Sequence, residues 1–291
     1  MTTPRSFAIV LLHPGAMGAA LGARLQEIGH DVRWVEQDRS INTVSRAQAA
    51  GLRSFPNMHA ALDDADLVLS VCPPHGALAM AGQIANAIRH RGFTGIYVDA
   101  NAISPATTLA IGALIEAAGA RFVDGGIIGP PPAREPRAGQ GGTRLYLSGP
   151  QAQAVAGMLS TPAIHTRVLD GPIGKASALK MIYAGWNKGT IALLASLQAL
   201  AASHDLNEAL HAEWAQSDPD ALTRSRRVAA NAHKAWRWEA EMQAIADTFD
   251  EAGLPDGFHR SAAQIYARLQ AFKDADQQPD DADIVASLLG S

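Results

Sequence analysis

Phe7-Ala8-Ile9-Val10-Leu11-Leu12-His13-Pro14-Gly15-Ala16-Met17-Gly18 decides how the N-terminal half is read. Six apolar residues in a row, with no alternating polar face, describe a strand buried on both sides. The turn after it is built from proline and glycine, and a helical pattern follows over Met17–Ile28. A strand, a glycine turn and a helix N-terminus in that order form an anion cradle. The turn lets backbone approach a phosphate, and the helix end supplies free N–H groups and a favourable dipole. A dinucleotide fingerprint, Gly-x-Gly-x-x-Gly, uses its second glycine for that approach and its third for close packing of helix on strand. Gly15 and Gly18 take those two positions, while His13 stands where the first glycine is usual. His13, Pro14, Gly15, Ala16, Met17 and Gly18 are therefore the expected phosphate-side contacts of a nicotinamide dinucleotide.

Moving outward, short apolar runs alternate with helical stretches. Strands are expected at Phe7–Leu12, Asp31–Val35, Leu67–Val71, Gly95–Asp99, Arg121–Gly125, Thr143–Ser148 and Thr166–Leu169. Helices are expected at Met17–Ile28, Ser45–Ala50, Pro74–Arg89, Pro105–Ala118 and Gln151–Leu159. Strands separated by helices imply right-handed crossovers and a doubly wound, mostly parallel α/β sheet of the Rossmann type. Gly129-Pro130-Pro131-Pro132 through Gly142 reads as a loop. After about residue 171 strand signals vanish. Helices are expected at Lys175–Ala202, Asn207–Glu213, Pro219–Ala246 with one or two breaks, Ala246–Ala252, Phe258–Phe272 and Ile284–Leu289, with Asp274–Asp283 as a connection. The expected domains are residues 1–170, binding NAD(P), and residues 171–291, an all-α domain for substrate and dimerisation.

Glu36 closes the second strand, and Gln37-Asp38-Arg39-Ser40 follows. An acid here hydrogen-bonds the adenosine ribose diol and favours NAD. Arg39 and Ser40, with Arg46 nearby, are groups that hold a 2′-phosphate and favour NADP. The adjacent basic and hydroxyl residues tip the reading to NADP, with NAD as the alternative. Cys72 and Pro73, at the end of the third expected strand, and Asn101 complete the expected cofactor contacts. Cys72 itself reads as a small core residue rather than a reactive thiol.

The formal net charge is −4, with no long basic run, which argues against nucleic acid or an anionic membrane as partner. No apolar run reaches the roughly 18 residues of a membrane helix. The short N-terminal run leads into a strand–turn–helix unit rather than a signal peptide, and with a single cysteine the expectation is a cytoplasmic protein. The ten histidines show no metal-ligand spacing within a helix, so no metal is expected.

Four stretches in order resemble the β-hydroxyacid dehydrogenase superfamily, which includes 3-hydroxyisobutyrate dehydrogenases, 6-phosphogluconate dehydrogenases and imine reductases. They are the His13–Gly18 turn, the Val98–Thr107 segment, the Phe122–Gly129 segment and the run Gly171-Pro172-Ile173-Gly174-Lys175-Ala176-Ser177-Ala178-Leu179-Lys180. By that resemblance Val98–Thr107 lies near the nicotinamide ring, and Gly126, Ile127, Ile128 and Gly129 belong to a substrate-binding loop. Lys180 is then the proton donor or acceptor. The C-terminal stretches Trp236–Met242 and Gly253–Arg260 resemble a branch with a helical, 6-phosphogluconate-dehydrogenase-like C-terminal domain, which implies an interlocked homodimer. Two departures stand out. Tyr183 and Ala184 occupy positions where the family often has asparagines, and Ile128-Gly129-Pro130 replaces a serine before paired glycines.

Lys180, Tyr183 and Asn187 share one helix face, three and seven residues apart. A hydride delivered to a carbonyl leaves an alkoxide that needs a proton, and an ammonium both stabilises that charge and supplies the proton. Tyr183 would orient the small-molecule substrate or share the proton relay, and Asn187 would hydrogen-bond a substrate oxygen. The leading expectation is an NAD(P)-dependent dehydrogenase acting on a small hydroxyl or carbonyl compound. An imine reductase is the first alternative, although enzymes of that group commonly carry another residue at the lysine position. The second is a dinucleotide-binding regulatory protein without turnover.

Overall fold

The computed structural model describes residues 5–135, 141–273, 275 and 277–290. Residues 136–140 of the expected Gly129–Gly142 loop, and residues 274 and 276 of the expected connection, lie outside the described residues. The chain divides into two compact units, Met1–Lys180 and Met181–Ser291.

The first unit is an eight-stranded sheet. Its strands are β1 (Ala8–Leu11), β2 (Asp31–Val35), β3 (Arg53–Phe55), β4 (Leu67–Ser70), β5 (Ile96–Asp99), β6 (Arg121–Ile128), β7 (Thr143–Ser148) and β8 (Ile164–Val168). They lie in the order β3-β2-β1-β4-β5-β6-β7-β8, and all neighbours are parallel except the β6–β7 pair. Helices α1 (Ala16–Glu27), α2 (Ile41–Ala49), α3 (Met58–Leu62), α4 (Ala77–Arg91), α5 (Pro105–Ala117) and α6 (Ala152–Leu159) make the crossovers.

The continuous apolar run of β1 is explained by its position. Ile9 and Leu11 enter one core cluster with Leu21, Leu25 and Trp34, while Val10 and Leu12 enter a second with Val68, Tyr97 and Ile111. Successive side chains leave a strand on opposite faces, and helices cover both. β1 is also where the strand order reverses, with β2 on one side and β4 on the other. In an open α/β sheet the crevice at that switch point, beyond the carboxyl ends of the strands, is where ligands bind.

Two elements were not expected. β3 and α3 have three and five residues, too short to display a period. α3 is held by its cap, with Asn57 Oδ1 accepting from the Ala60 N–H at 3.0 Å. Two further expectations are corrected. Phe122–Gly129 is strand through Ile128, and a loop begins only at Gly129, whose φ of +117° suits glycine. The expected separate helix Ala246–Ala252 is the last part of a longer one, because no glycine or proline interrupts the chain before Gly253.

Helix α7 (Lys175–Ser203) begins in the first unit and continues into the second. The second unit adds α8 (Asn207–Ser217), α9 (Pro219–Ser225), α10 (Arg227–Asn231), α11 (Ala235–Glu251), α12 (Gly257–Arg268) and α13 (Asp281–Leu289). A 3₁₀ turn at Ala232–Lys234 separates α10 from α11. The core of this unit carries a buried ion pair between Lys188 and Glu241. Tyr266 closes over it, its hydroxyl donating to the Lys188 carbonyl at 2.6 Å. No described helix is long and apolar enough to cross a membrane.

Candidate functional site

The phosphate-side turn has the geometry its residue types demand. Gly15 is the N-cap of α1 in extended conformation, so no side chain caps the helix and its first N–H groups remain available to an anion. A Cβ on Gly18 would fall 2.3 Å from the His13 carbonyl oxygen. The helix therefore sits on the strand end at a distance only glycine allows. A Cβ on Gly22, one turn later, would lie 2.7 Å from Leu52 Cδ2. His13 at the first fingerprint position is not strained, since the described non-glycine residues with positive φ are Asp38, Asp64 and Asp205. Its ring instead lies against Gly15, where an added Cβ would be 3.2 Å from His13 Cδ2. Pro14 is buried beneath the turn, Ala16 is exposed and Met17 half-buried.

The residues after β2 are arranged less evenly. Glu36 is exposed and accepts a 3.0 Å hydrogen bond from Ser54 Oγ on β3. Asp38 adopts the left-handed conformation, φ +60°, which a short polar side chain tolerates, and the Arg39 N–H returns to the Glu36 carbonyl at 3.2 Å. This tight turn sends Arg39 back over β1. Its Nη2 donates to the Leu12 carbonyl at 3.1 Å, and Nη1 lies 3.5 Å from His13 Nδ1. Ser40 caps α2, with Oγ accepting from the Thr43 N–H at 3.3 Å. Arg46 is exposed on α2.

At the carboxyl ends of β4 and β5 a buried polar network forms. Asn101 Nδ2 donates to Ser70 Oγ and to Asp99 Oδ2, both at 3.0 Å, and its backbone N–H donates to Asp99 Oδ1 at 3.0 Å. With its amide thus oriented, Asn101 Oδ1 accepts the Cys72 N–H at 2.6 Å and holds the turn that carries Cys72 and Pro73. Burial pushes the Asp99 carboxyl up to about 7; the Asn101 hydrogen bonds oppose the shift and the charge of Asp124 adds to it. Burial, followed by the charge of Asp99, pushes the Cys72 thiol up to about 11. Cys72 is thus a protonated packing residue and a poor nucleophile.

A second carboxylate, Asp124 on β6, organises the entry to α7. It is fully buried. Its Oδ2 accepts from the N–H groups of Gly174 (2.9 Å), Ala176 (2.9 Å) and Ser177 (3.2 Å) and from Ser148 Oγ (2.8 Å). Ser177 Oγ donates to Asp124 Oδ1 and lies 2.8 Å from Thr108 Oγ1, which ties α7 to α5 as well. A buried carboxylate at a helix N-terminus is stabilised by hydrogen bonds and dipole together. Two residues further along β6, Gly126 lets α7 approach: a Cβ there would lie 2.6 Å from the Ala176 carbonyl oxygen and 3.2 Å from Lys180 Cβ. Lys180 therefore stands beside the carboxyl-terminal half of β6. β6 runs parallel to β5, β4 and β1, so this is the sheet edge that carries the glycine turn. Ile127 and Ile128 are buried in the sheet, and Gly129 starts the loop. Farther along α7, Tyr183 is exposed, and Asn187 Nδ2 donates to the Tyr183 carbonyl at 3.1 Å.

Residues 9–156 match the family model described as the NAD binding domain of 6-phosphogluconate dehydrogenase. The chain belongs to the β-hydroxyacid dehydrogenase superfamily. As in that domain, its cofactor is NAD(P), and Gly15, Gly18 and the uncapped start of α1 fit a dinucleotide diphosphate. Residues 201–269 match a domain of unknown function. A glycerol-3-phosphate dehydrogenase [NAD(P)+] of Streptococcus agalactiae is 33% identical over 95 residues, 28% of each chain, so this superfamily member spans about a quarter of the length of that relative. A solved conserved protein of unknown function, described as structurally similar to 3-hydroxyacid dehydrogenases, is 25% identical, with 91% of this chain and 97% of that one covered and a TM-score of 0.63. The 3-hydroxyisobutyrate dehydrogenase of Mycobacterium tuberculosis shares the fold at 18% identity, covering 98% and 99% of the chains with a TM-score of 0.68. An imine reductase of Myxococcus stipitatus, solved with NAD+, shares it at 19% identity over 98% and 100%, with a TM-score of 0.53.

Sequence reasoning singled out the turn, Asn101 and Lys180 but not Asp99 and Asp124. Asp99 lies in the Val98–Thr107 segment and Asp124 in the Phe122–Gly129 segment. The available signal was a charged residue within an apolar strand, a position seldom occupied unless the charge is paired or functional.

Proposed function

We propose that this protein is an NAD(P)-dependent oxidoreductase that interconverts a small hydroxyl compound and its carbonyl partner, with Lys180 as the general acid and base. The observation that carries this reading is the contact between Gly126 and the second turn of α7, which sets Lys180 at the sheet edge bearing the cofactor turn. Bound NAD(P) supplies or accepts the hydride. In the reducing direction the Lys180 ammonium faces the carbonyl oxygen, stabilises the developing alkoxide and gives it a proton. In the oxidising direction the neutral amine takes the hydroxyl proton. Gly126, packed against α7, holds Lys180 beside β6, while Tyr183 and Asn187 continue the polar stripe along α7.

Tyr183, three residues after Lys180 and exposed, supports imine reduction as a second reading, with the phenol as acid. A cofactor-coupled screen of hydroxy acids, aldehydes and cyclic imines separates the two. Lys180→Met keeps the aliphatic stem and removes the charge. Turnover of the best carbonyl substrate should fall by at least about a hundredfold while cofactor affinity, read by calorimetry, stays near parental. Normal turnover by Lys180→Met would refute the assignment, and a larger loss in Tyr183→Phe would move the acid to the phenol.

We also propose a homodimer. Ile182, Trp186, Leu193, Leu197 and Leu200 are exposed and fall on one face of α7 by their helical spacing, an apolar stripe suited to a second copy.

A further inference from the structure

We propose that Arg39 binds the diphosphate of the dinucleotide rather than a 2′-phosphate on its adenosine ribose, and that Arg39 and His13 together replace the missing first glycine as an anion bracket. This rests on the family's NAD(P) binding and deepens it. The turn Glu36–Arg39, reversed at left-handed Asp38, carries the guanidinium away from the end of β2 and lays it over the end of β1. There it donates to the Leu12 carbonyl at 3.1 Å and lies 3.5 Å from His13 Nδ1. The His13 ring in turn covers Gly15, the N-cap of α1, with an added Cβ 3.2 Å from Cδ2. Arg39 is thus one imidazole ring away from the helix N-terminus that receives the diphosphate. The Nε of Arg39 is buried with no hydrogen-bond partner.

A guanidinium presents forked donors that match phosphate oxygens, and two phosphate charges at one helix end exceed what a half-charge dipole offsets. A histidine at the first fingerprint position costs no backbone strain here, and its ring, with Nδ1 facing the guanidinium, carries a polar edge over Gly15. Meanwhile the remaining side chains at the ribose end are already committed. Ser40 caps α2, and Glu36, oriented by Ser54, presents at the end of β2 a carboxylate that would repel a 2′-phosphate. Choice between NAD and NADP then falls to Glu36, and Arg39 serves both cofactors alike.

Calorimetric titration of the full chain with NAD+, NADP+ and ADP-ribose tests this without any turnover. Arg39→Gln retains an amide donor for the Leu12 carbonyl and loses the charge. It should weaken all three ligands by the same factor, about tenfold or more. Arg39→Lys restores the charge without the fork and should recover part of the loss for all three. Loss confined to NADP+ would return Arg39 to the 2′-phosphate and overturn the proposal. Parental affinity in Arg39→Gln would make the residue a mere brace of the turn and overturn it too. A parent protein that binds none of the three would instead defeat the dinucleotide assignment itself.

Discussion

Asp124→Ala removes a single acceptor on which five donors converge, and the structure shows which of them have an alternative. Ala176 N–H keeps Ser148 Oγ at 3.1 Å, and Ser177 Oγ keeps Thr108 Oγ1 at 2.8 Å. The N–H groups of Gly174 and Ser177 and the Ser148 hydroxyl lose this acceptor in buried surroundings. Leaving a buried donor unmet costs about 1–3 kcal/mol, so three of them give a loss of about 3–9 kcal/mol. For a unit of this size that is a drop in Tm of roughly 6 °C at the low end and more than about 30 °C at the high end. Asp124→Asn should behave differently. Its carbonyl oxygen can take the place of Oδ2, and its amide can donate to Ser177 Oγ while that hydroxyl turns to Thr108. Charge assistance is lost but a buried charge is also removed, so the net cost should be about 1 kcal/mol. Scanning calorimetry gives the two shifts, and hydrogen exchange at Gly174–Ser177 localises them to the start of α7. Equal losses in the two variants, or an alanine variant within about 0.5 kcal/mol of the parent, would show that the carboxylate does not hold this helix.

Two further outcomes follow from the same geometry. Gly18→Ala drives a methyl group into the His13 carbonyl oxygen and should cost about 1–3 kcal/mol and weaken NAD+ binding by at least tenfold, whereas Gly82→Ala in α4, whose added Cβ meets nothing within 4 Å, should be neutral or stabilising; denaturant titration with parallel calorimetry reads both. The second concerns Asp99, whose folded-state carboxyl is raised to about 7 from an ordinary 3.8. A raised acid favours the folded state while it is protonated, so its stabilisation is complete below about pH 4 and is lost as pH rises through 7, by a few kcal/mol at most. Asp99→Asn should flatten the dependence of stability on pH across that window, and an unchanged slope would show that Asp99 ionises in the fold as it does in water.

Much of the site was legible in the residues because its demands are local. Only glycine lets a helix start within touching distance of the preceding strand, so Gly15 and Gly18 could be read from position. Lys180 is singled out by the family resemblance of the Gly171–Lys180 run, and helical spacing then puts Tyr183 on its face. Ile127 and Ile128 were misplaced in a loop because an apolar pair beside two glycines is equally compatible with a strand end. β3 and α3 were missed because three and five residues are fewer than a period needs. Arg39 reads with Ser40 as a 2′-phosphate pair because the two stand side by side in the loop; the reach of its guanidinium to the Leu12 carbonyl depends on the left-handed turn at Asp38.

The sequence by itself therefore determined the class of sheet, the strand–turn–helix cradle, the all-helical second half and the helix bearing Lys180. Each is a matter of period, of chain-local sterics or of residues one or two turns apart. The tertiary structure alone decided which distant residues share a sheet edge. Asp124 meets the start of α7 across some fifty residues of chain, Asn101 orients against Ser70 and Cys72, and Arg39 folds over Leu12. Such contacts are set by strand order and by the burial of polar groups that must find partners wherever the fold brings them, and no local pattern along the chain encodes that pairing.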